Sequence, residues 1–296
     1  MATLKEVQTK ISAVKKTKQI TQAMNMVATS RLRNAQMAMN GFLPYAAKFA
    51  DVLGSLAEKA GENASPLLIA HEEVKKIHIV LCTSDRGLCG GFNLNLINKA
   101  MMFIKDKPGG DVEFSFTCFG KKGRDWCKKE KNKIADEYIG VVGGKIDFNV
   151  ASGAGSVIVE GFLDGTYDEV YIISAEYVHI AKQIPLMKQL IPIPPIEKVE
   201  EVNEEDTQFM AEHICEPSPE ELLEDLLPRN VYSQIYKGLL ETSASEHAAR
   251  MTAMSNATKA CNDLIDNLTL LYNKARQASI TADLMDIVGG AEALKG

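Results

Sequence analysis

The chain has 296 residues, of which 46% are hydrophobic and 24% charged, and its net charge is −6 at pH 7. This composition is ordinary for a folded protein of one or two domains, and the net charge alone argues neither for nor against nucleic-acid binding. No run of about 18 apolar residues is present, which excludes a membrane-spanning helix, so any membrane association is expected to come through another protein.

The six cysteines form no CxxC pair and no Cys/His spacing typical of zinc sites. We therefore expect reduced thiols in a cytosolic compartment. Helical periodicity begins by Leu4, so we do not expect a transit peptide in front of the first domain.

The first 40 residues predict a long basic helix. They contain neither Gly nor Pro, and seven basic side chains stand against one acid, Glu6. An apolar stripe at spacings of three and four begins at Leu4, shifts near Ile20 and continues less regularly through Pro44 to about Lys59. A basic amphipathic helix can bind nucleic acid or a membrane surface, or its basic face can simply be solvated, and these alternatives remain open at this point.

Between residues 74 and 215, short strands alternate with helices. This order is typical of an α/β layer with a largely parallel sheet. We predict strands at 76–82, 112–119, near 138 and at 169–175, with helices at 93–107, 121–131 and 147–164. Edge strands at 186–193 and 208–214 are predicted around an acidic loop at 197–206.

The last part of the chain predicts a second long helix. Residues 197–225 carry twelve acids against Lys198, and Ser218 is predicted to cap the helix, with acids in its first turn. Residues 239–288 then hold fifty consecutive positions without Gly or Pro. A narrow stripe at alternating spacings of three and four predicts a left-handed coiled-coil seam. The predicted seam residues are Met254, Ala257, Cys261, Leu264, Leu268, Leu271, Ala275, Ala278, Ala282 and Met285.

Together these elements predict a Rossmann-like α/β domain with a mostly parallel sheet, inserted between two long helices. Both helices are rooted on the same domain, so they can pair only as an antiparallel two-helix coiled coil. We predict an N-terminal coiled-coil helix at 1–60, an α/β domain at 74–215 and a C-terminal coiled-coil helix at 216–296, the two helices forming one discontinuous unit. The alternative for the last segment is a long core helix of an all-α protein.

The stretch from Ser84 to Asn93 stands where nucleotide-binding loops stand in doubly wound folds. It is neither a P-loop nor a GxGxxG motif, so a sharp turn or a close contact with a partner is the favoured interpretation. Cys89 close to Arg86 could suggest a nucleophile, but the five histidines are scattered and no Cys/His pair is evident. We predict no catalytic, cofactor or metal site.

Four segments resemble the γ subunit of F-type ATP synthases, in order along the whole chain. They are ISAVKKTKQITQAMNMVA at 11–28, SDRGLCGG at 84–91, SEHAARM at 245–251, and YNKARQASIT at 272–281 continuing to GGA at 289–291. The chain differs from the usual family pattern in having Asp283 and Asp286 where two Glu are common, and it lacks the cysteine-bearing insertion of chloroplast relatives. The missing insertion argues against thiol regulation of the chloroplast kind, and the expected absence of a transit peptide favours the bacterial type.

The resemblance implies a non-catalytic rotor shaft that needs no cofactor. Its coiled coil would thread a hexamer of three α and three β subunits, and its α/β domain would sit with the ε subunit on the membrane c-ring, with δ contacted indirectly. Rotation of the c-ring by protons would then drive ATP synthesis on β. The implied location is the cytoplasmic side of a bacterial plasma membrane, in the F1 sector, without membrane insertion and without nucleic acid.

The resemblance also implies which residues meet the partner subunits. On the first helix these are Met24, Arg31 and Arg33; near the lever segment of β they are Asp85, Arg86 and Cys89; on the last helix they are Arg250, Gln277, Thr281, Asp283 and Asp286. Two other classes remain as alternatives: a Rossmann-like enzyme with a helical dimerisation arm, which needs a ligand at the turn after residue 85, and a basic coiled-coil nucleic-acid binder.

Overall fold

The computed structural model describes residues 4–60, 65–71, 73–107, 112–194 and 218–294. The chain divides into two compact units. Met1–Thr29 with Arg250–Gly296 form the helical unit, and Ser30–Ala249 form the α/β unit. Both long helices contribute residues to both units. The domain limits predicted from the sequence are a different division and remain a prediction.

The described residues contain five α-helices, one short 3-10 helix and five strands. In chain order they are α1 (Leu4–Ala60), a short 3-10 helix (Pro66–Leu68), β1 (Lys76–Cys82), α2 (Phe92–Asp106), β2 (Glu113–Phe119), α3 (Lys121–Lys129), β3 (Lys133–Tyr138), α4 (Phe148–Leu163), β4 (Glu169–His179), β5 (Lys182–Ile191) and α5 (Pro219–Ala293). Every helix and strand predicted within these residues is present. The predicted acidic loop at 197–206 and edge strand at 208–214 lie outside the described residues.

The sheet has the strand order β3-β2-β1-β4-β5. The first four strands are mutually parallel, and β5 returns antiparallel to β4 as a hairpin. Ile79 on the central strand pairs with Phe116 on one side and Tyr171 on the other. The predicted mixed fold with a mostly parallel sheet is confirmed. The apolar side chains on one face of the sheet pack against α2, which contributes Leu96 to this core.

Two glycines allow helices of the α/β unit to approach their neighbours closely. A Cβ at Gly155 on α4 would overlap the ring of Tyr232 on α5. A Cβ at Gly238 on α5 would lie 2.9 Å from the Cδ1 atom of Ile172 on β4. Real Cβ atoms do not come this close, so a side chain at either position would force its neighbour to move.

Helix α5 begins as its sequence predicts. The Ser218 Oγ accepts a hydrogen bond from the Glu221 amide at 3.2 Å, which is an N-cap, and Glu220 and Glu221 lie in the first turn. Pro228 lies two turns further on without ending the helix.

In the helical unit, α1 and α5 pack side by side in opposite directions. Thr21 Oγ1 lies 2.8 Å from Thr258 Oγ1, and the Asn25 side chain donates to the Met251 carbonyl at 2.9 Å. Moving forward along α1 therefore means moving backward along α5, which confirms the predicted antiparallel pairing.

The stripe on α1 does not shift near Ile20, which corrects the prediction. The covered positions continue at an unbroken spacing through Thr21, Asn25 and Ala28, whereas Ile20 and Val27 are exposed. The 3.5-residue period of two paired helices decides which positions face each other, even where the residues are polar. Thr21 and Asn25 are tolerated there because each makes a hydrogen bond to α5.

The predicted seam on α5 is partly wrong. Leu264 and Leu271 are 47% and 50% exposed, and the half-buried positions are instead Ile265 and Tyr272. From Met254 onward the covered positions are spaced by four and then three residues, whereas the prediction spaced them by three and then four. Every residue from 276 to 294 is exposed, so the predicted seam positions Ala278, Ala282 and Met285 are not covered. Since Thr21 faces Thr258, Leu4 at the start of α1 faces about residue 275, and α1 provides no partner beyond it.

Candidate functional site

The loop after β1 is fixed to the start of α3. Gly120 precedes α3 with φ +97° and brings the helix so close that a Cβ there would overlap the Thr83 carbonyl. The first three amides of α3 donate to three consecutive residues of the loop: Lys121 N to Asp85 Oδ1 (3.1 Å), Lys122 N to Ser84 O (3.1 Å) and Gly123 N to Thr83 Oγ1 (2.8 Å). Residues 83–85 therefore cap a helix that is distant in sequence.

The Asp85 carboxylate also holds the turn that follows β3. Its Oδ1 accepts a second hydrogen bond, from the Gly140 amide at 3.0 Å. Three residues further on, the Gly143 carbonyl accepts a hydrogen bond from Arg31 Nη1 on α1 at 3.1 Å. The structure thus brings Arg31 and Asp85, both predicted as partner contacts, to the same turn of the chain itself. Hydrogen bonds with one charged partner are roughly twice as strong as neutral ones, so this link is a firm one.

The underside of the loop is closed by Ser84, Cys89 and Asn93. Ser84 Oγ donates to the Arg86 carbonyl at 2.6 Å, and the Asn93 amide oxygen accepts from the Ser84 amide at 2.9 Å. Asn93 Nδ2 lies 3.2 Å from Cys89 Sγ. The Cys89 side chain is 2% exposed, so its thiol points into the α/β unit and supports the loop from beneath.

Leu88 and Arg86 form the outer surface of the loop. Leu88 has φ +65°, a left-handed conformation that costs a leucine about 1–2 kcal/mol, and its side chain is 62% exposed. The family resemblance pointed to Asp85, Arg86 and Cys89 in this loop and did not include Leu88.

The geometry does not favour phosphate binding at the start of α3. A helix N-terminus beside the carboxyl ends of parallel strands is a ready phosphate site because its amides and dipole attract anions. Here the first amides of α3 are already bonded, and the anion beside them is the Asp85 carboxylate. A phosphate would have to displace a carboxylate that belongs to the same chain.

Three potential nucleophiles or bases of the described α/β unit, Cys82, Cys127 and His78, lie in surroundings that favour their neutral forms. Burial raises the pKa of the Cys82 thiol, and the pKa of Cys127 is raised by its hydrogen bond with Cys118 (3.6 Å between the sulfur atoms) and by burial. Burial lowers the pKa of His78 to about 3, between Ser115 and Thr117. Among the described residues no three potential ligands converge on a metal position.

The segment SEHAARM anchors α5 to the sheet. Ser245 Oγ donates to the Ala175 carbonyl at 3.3 Å, and the Ala175 amide donates to Thr242 Oγ1 at 3.1 Å. Glu246 and His247 are buried in the α/β unit, with 2.7 Å between Oε2 and Nδ1. The resemblance at this segment therefore falls on residues that hold β4 and α5 together.

The remaining predicted contact residues lie in separate places. In the helical unit, Met24 and Arg250 are half-buried neighbours of the Asn25–Met251 hydrogen bond. In the α/β unit, Arg33 is exposed on α1. Gln277, Thr281, Asp283 and Asp286 are exposed on the uncovered end of α5, where Thr281 Oγ1 donates to the Gln277 carbonyl at 2.9 Å. No observation here tests their roles as contacts, which stay predictions.

Comparison with known proteins places the chain in a family. The family profile described as ATP synthase matches residues 3–294. The ATP synthase gamma chain of Desulfosudis oleivorans is 62% identical over 298 residues, covering 100% of both chains, and that of Desulforapulum autotrophicum is 61% identical, covering 99% of this chain and 100% of the relative. The chain belongs to the family of ATP synthase gamma chains. Agreement at this level over the full length leaves no segment of the chain outside the family.

Solved structures of this family show the same fold. A chain of the Euglena gracilis mitochondrial ATP synthase, in a structure of OSCP, F1 and c-ring, superposes with a TM-score of 0.65 at 17% identity, covering 98% of this chain and 94% of that one. A chain of the rotor from the same organism gives a TM-score of 0.63 at 19% identity, covering 94% and 98%. In the parts of the chain that the structure describes, no helix is both long and apolar enough to cross a membrane.

Proposed function

We propose that this chain is the central rotor shaft of an F-type ATP synthase. In this role it couples proton-driven rotation of the membrane c-ring to ATP synthesis or hydrolysis on the β subunits, regulates ATPase activity and proton flow, and carries out no catalysis itself. The observation that carries the proposal is the full-length match to gamma chains at up to 62% identity.

The antiparallel helices suit a torque-bearing element. A charge that crosses the membrane yields about 2.3 kcal/mol per 100 mV, so several proton steps must be summed for each ATP. An element that sums them has to resist twisting, and two packed helices resist it better than one. The direct cross-helix hydrogen bonds at Thr21 and Asn25 support the pairing in the register that the packing sets.

The uncovered end of α5 suits a partner made of protein. Exposed apolar side chains at Ile280, Leu284, Ile287 and Val288 alternate there with polar ones. Their spacing of i, i+4, i+7 and i+8 places these four residues on one face of the helix. Exposure of such an apolar stripe to water is unfavourable, and a surrounding sleeve of α and β subunits would cover it. Gln277, Thr281, Asp283 and Asp286 are the polar residues that such a sleeve would meet.

The other proposed contacts follow the family. Met24, Arg33 and Arg250 would meet the catalytic subunits along the paired helices, while the loop containing Arg86 would meet the lever segment of β. The α/β unit would rest with ε on the c-ring, with δ contacted only indirectly. The complex would lie at the cytoplasmic side of a bacterial plasma membrane, which the bacterial origin of the relatives supports.

Reconstitution tests the proposal. The purified chain is added to membrane vesicles carrying an ATP synthase from which the gamma chain has been removed, and ATP-driven acidification is followed with a pH-sensitive dye. We expect restored pumping, and no ATP hydrolysis by the chain alone. Sustained hydrolysis by the isolated chain, or vesicles that assemble the chain without pumping, would contradict the proposed role.

A further inference from the structure

We propose that Cys118 and Cys127 form a modification site of the α/β unit, a pair of thiols that a hydroperoxide oxidises to a disulfide and that a thiol reductant restores. The disulfide would join strand β2 to helix α3. This inference does not depend on the proposed function, because both residues belong to this chain and react with each other. It adds to the expectation of reduced thiols by naming the pair that can leave the reduced state.

The first step is the geometry of the pair. Cys118 lies on β2 and Cys127 lies in the last turn of α3. The Cys118 thiol donates a weak hydrogen bond to the Cys127 sulfur, with 3.6 Å between the two sulfur atoms. A disulfide bond is about 2.0 Å long, so the sulfur atoms need to approach each other by about 1.6 Å. The folded chain therefore already holds the two reacting atoms side by side.

The second step is why these two cysteines pair with each other. Cys82 on β1 lies beside Phe119, the residue after Cys118, so the Cys82 side chain is on the opposite face of the sheet. Cys89 Sγ lies 3.2 Å from Asn93 Nδ2 beneath the loop after β1. Among the cysteines that the structure describes, Cys118 and Cys127 are the pair whose sulfur atoms are in contact.

The third step is access, because the side chains of both cysteines are fully buried. Helix α3 has nine residues, of which Gly123 and Cys127 are the buried ones. A short helix with few buried side chains opens at a low free energy. Three amide hydrogen bonds tie its first turn to residues 83–85, so the last turn is the end that opens more readily. Opening of that turn exposes Cys127 and uncovers Cys118 beneath it.

The fourth step is reactivity, which differs between the closed and the opened helix. In the closed helix, the hydrogen bond with Cys118 and burial raise the pKa of the Cys127 thiol, so the thiol is inert. Once the last turn opens, both causes disappear. Lys128 and Lys129 follow Cys127 directly in sequence, and their positive charges then favour the thiolate. Opening of the helix therefore turns an inert thiol into a nucleophile.

The reaction transfers two electrons from sulfur to the peroxide. The Cys127 thiolate attacks one oxygen of the hydroperoxide, the O–O bond breaks, and a sulfenic acid forms while an alcohol leaves with the proton of the thiol. The Cys118 sulfur then attacks the sulfenic sulfur, which forms the S–S bond and releases water. Two thiols and one hydroperoxide thus give one disulfide, one alcohol and one water; with hydrogen peroxide, the alcohol is a second water. A thiol reductant restores both thiols by exchange.

Thiol counting on the full-length chain tests the pair. Cys215→Ser and Cys261→Ser first remove two of the six cysteines and leave the four of the described α/β unit. We expect hydrogen peroxide at neutral pH to lower the number of thiols, counted after denaturation, from four to two, and dithiothreitol to return it to four. Mass spectrometry of the tryptic peptides should find the peptides of Cys118 and Cys127 joined by a disulfide.

Two variants of the four-thiol chain are matched, because each removes one fully buried thiol. Cys82→Ser should still form the disulfide, whereas Cys127→Ser should form none. The inference is wrong if the disulfide uses Cys82 or Cys89, or if oxidation ends at a sulfinic acid on a single cysteine. It is also wrong if all four thiols stay reduced at a peroxide concentration that oxidises the same chain fully in urea.

Hydrogen exchange tests the route through the opened helix. The disulfide closes a ring over residues 118–127, which restricts the opening of the last turn of α3. We expect the amides of residues 127–130 to exchange about 10- to 100-fold more slowly in the oxidised chain than in the reduced one. The amides of α2 should exchange at the same rate in both. Equal exchange at residues 127–130 in the two states would refute the opening of α3 as the route to the pair.

Discussion

His78 should make the α/β unit sensitive to mild acid. The ring is fully buried on β1, with its nitrogens 2.8 and 2.9 Å from Ser115 Oγ and Thr117 Oγ1 and its face stacked 4.2 Å from the Tyr167 ring. Each hydroxyl can donate or accept, so the neutral ring is satisfied in either tautomer. A second ring proton would place a charge in this buried site, and burial accordingly lowers the pKa of His78 from 6.5 to about 3.

The size of the effect follows from that pKa difference. Between pH 6.5 and 3 the unfolded chain binds a proton at this position that the folded chain does not, so the free energy of unfolding falls as the pH falls. Above pH 7 the ring is neutral in both the folded and the unfolded chain, so the free energy of unfolding has its full value. By pH 5 the loss reaches about 2 kcal/mol, and it approaches about 5 kcal/mol below pH 3.

Urea unfolding at pH 7.5 and pH 5.0 measures this loss. The wild type should lose about 2 kcal/mol more between the two pH values than His78→Gln, which has no titrating group at this position. The histidine at position 179 is exposed, so His179→Gln should keep the wild-type pH dependence. The reasoning is refuted if His78→Gln and the wild type lose the same free energy over this interval, whatever their difference at pH 7.5.

Three further predictions concern packing and coupling. Gly155→Ala should lower the free energy of unfolding by about 1–3 kcal/mol because its Cβ meets Tyr232. Gly153→Ala has open space around its Cβ and should be neutral or stabilising. Urea titration of both variants measures this, and equal effects would exclude the contact with Tyr232 as the cause. Removing residues 277–296 should change the free energy of unfolding of the isolated chain by less than about 1 kcal/mol, since residues 276–294 are exposed, and a larger loss in the same titration would contradict that exposure. Met24→Lys should lower the protons pumped per ATP hydrolysed more than it lowers subunit co-purification, and an unchanged pumping ratio would remove Met24 from the proposed contacts.

The sequence was sufficient for the elements because their signals are local. Long runs without Gly or Pro predicted α1 and α5, and alternation and β-branched runs predicted the strands of the parallel sheet. The register of the paired helices is not determined by a local signal. Leu264 and Ile265 are both apolar neighbours, and only the pairing with α1 decides that Ile265 is covered and Leu264 is not.

The site was only partly predictable for the same reason. Because residues 84–93 follow β1 and are rich in glycine, the sequence correctly predicted a constrained turn there. The family resemblance implied that Asp85 contacts another subunit, yet the amides that it binds belong to residues 121 and 140 of the same chain, which no local pattern connects to it. The exposed apex at Leu88 depends on a backbone angle, which the sequence does not show directly.

The cap on α3 has a consequence for how the rotor would behave under changing cellular conditions. In a nucleotide-binding relative of this topology, the rigidity of the loop depends on how much ligand is present, because occupancy follows the ratio of ligand concentration to Kd. Asp85 is attached to the chain, so its local concentration at the amides is fixed by the fold and does not vary with metabolism. The conformation of this loop would therefore be the same in a starved cell as in a well-fed one.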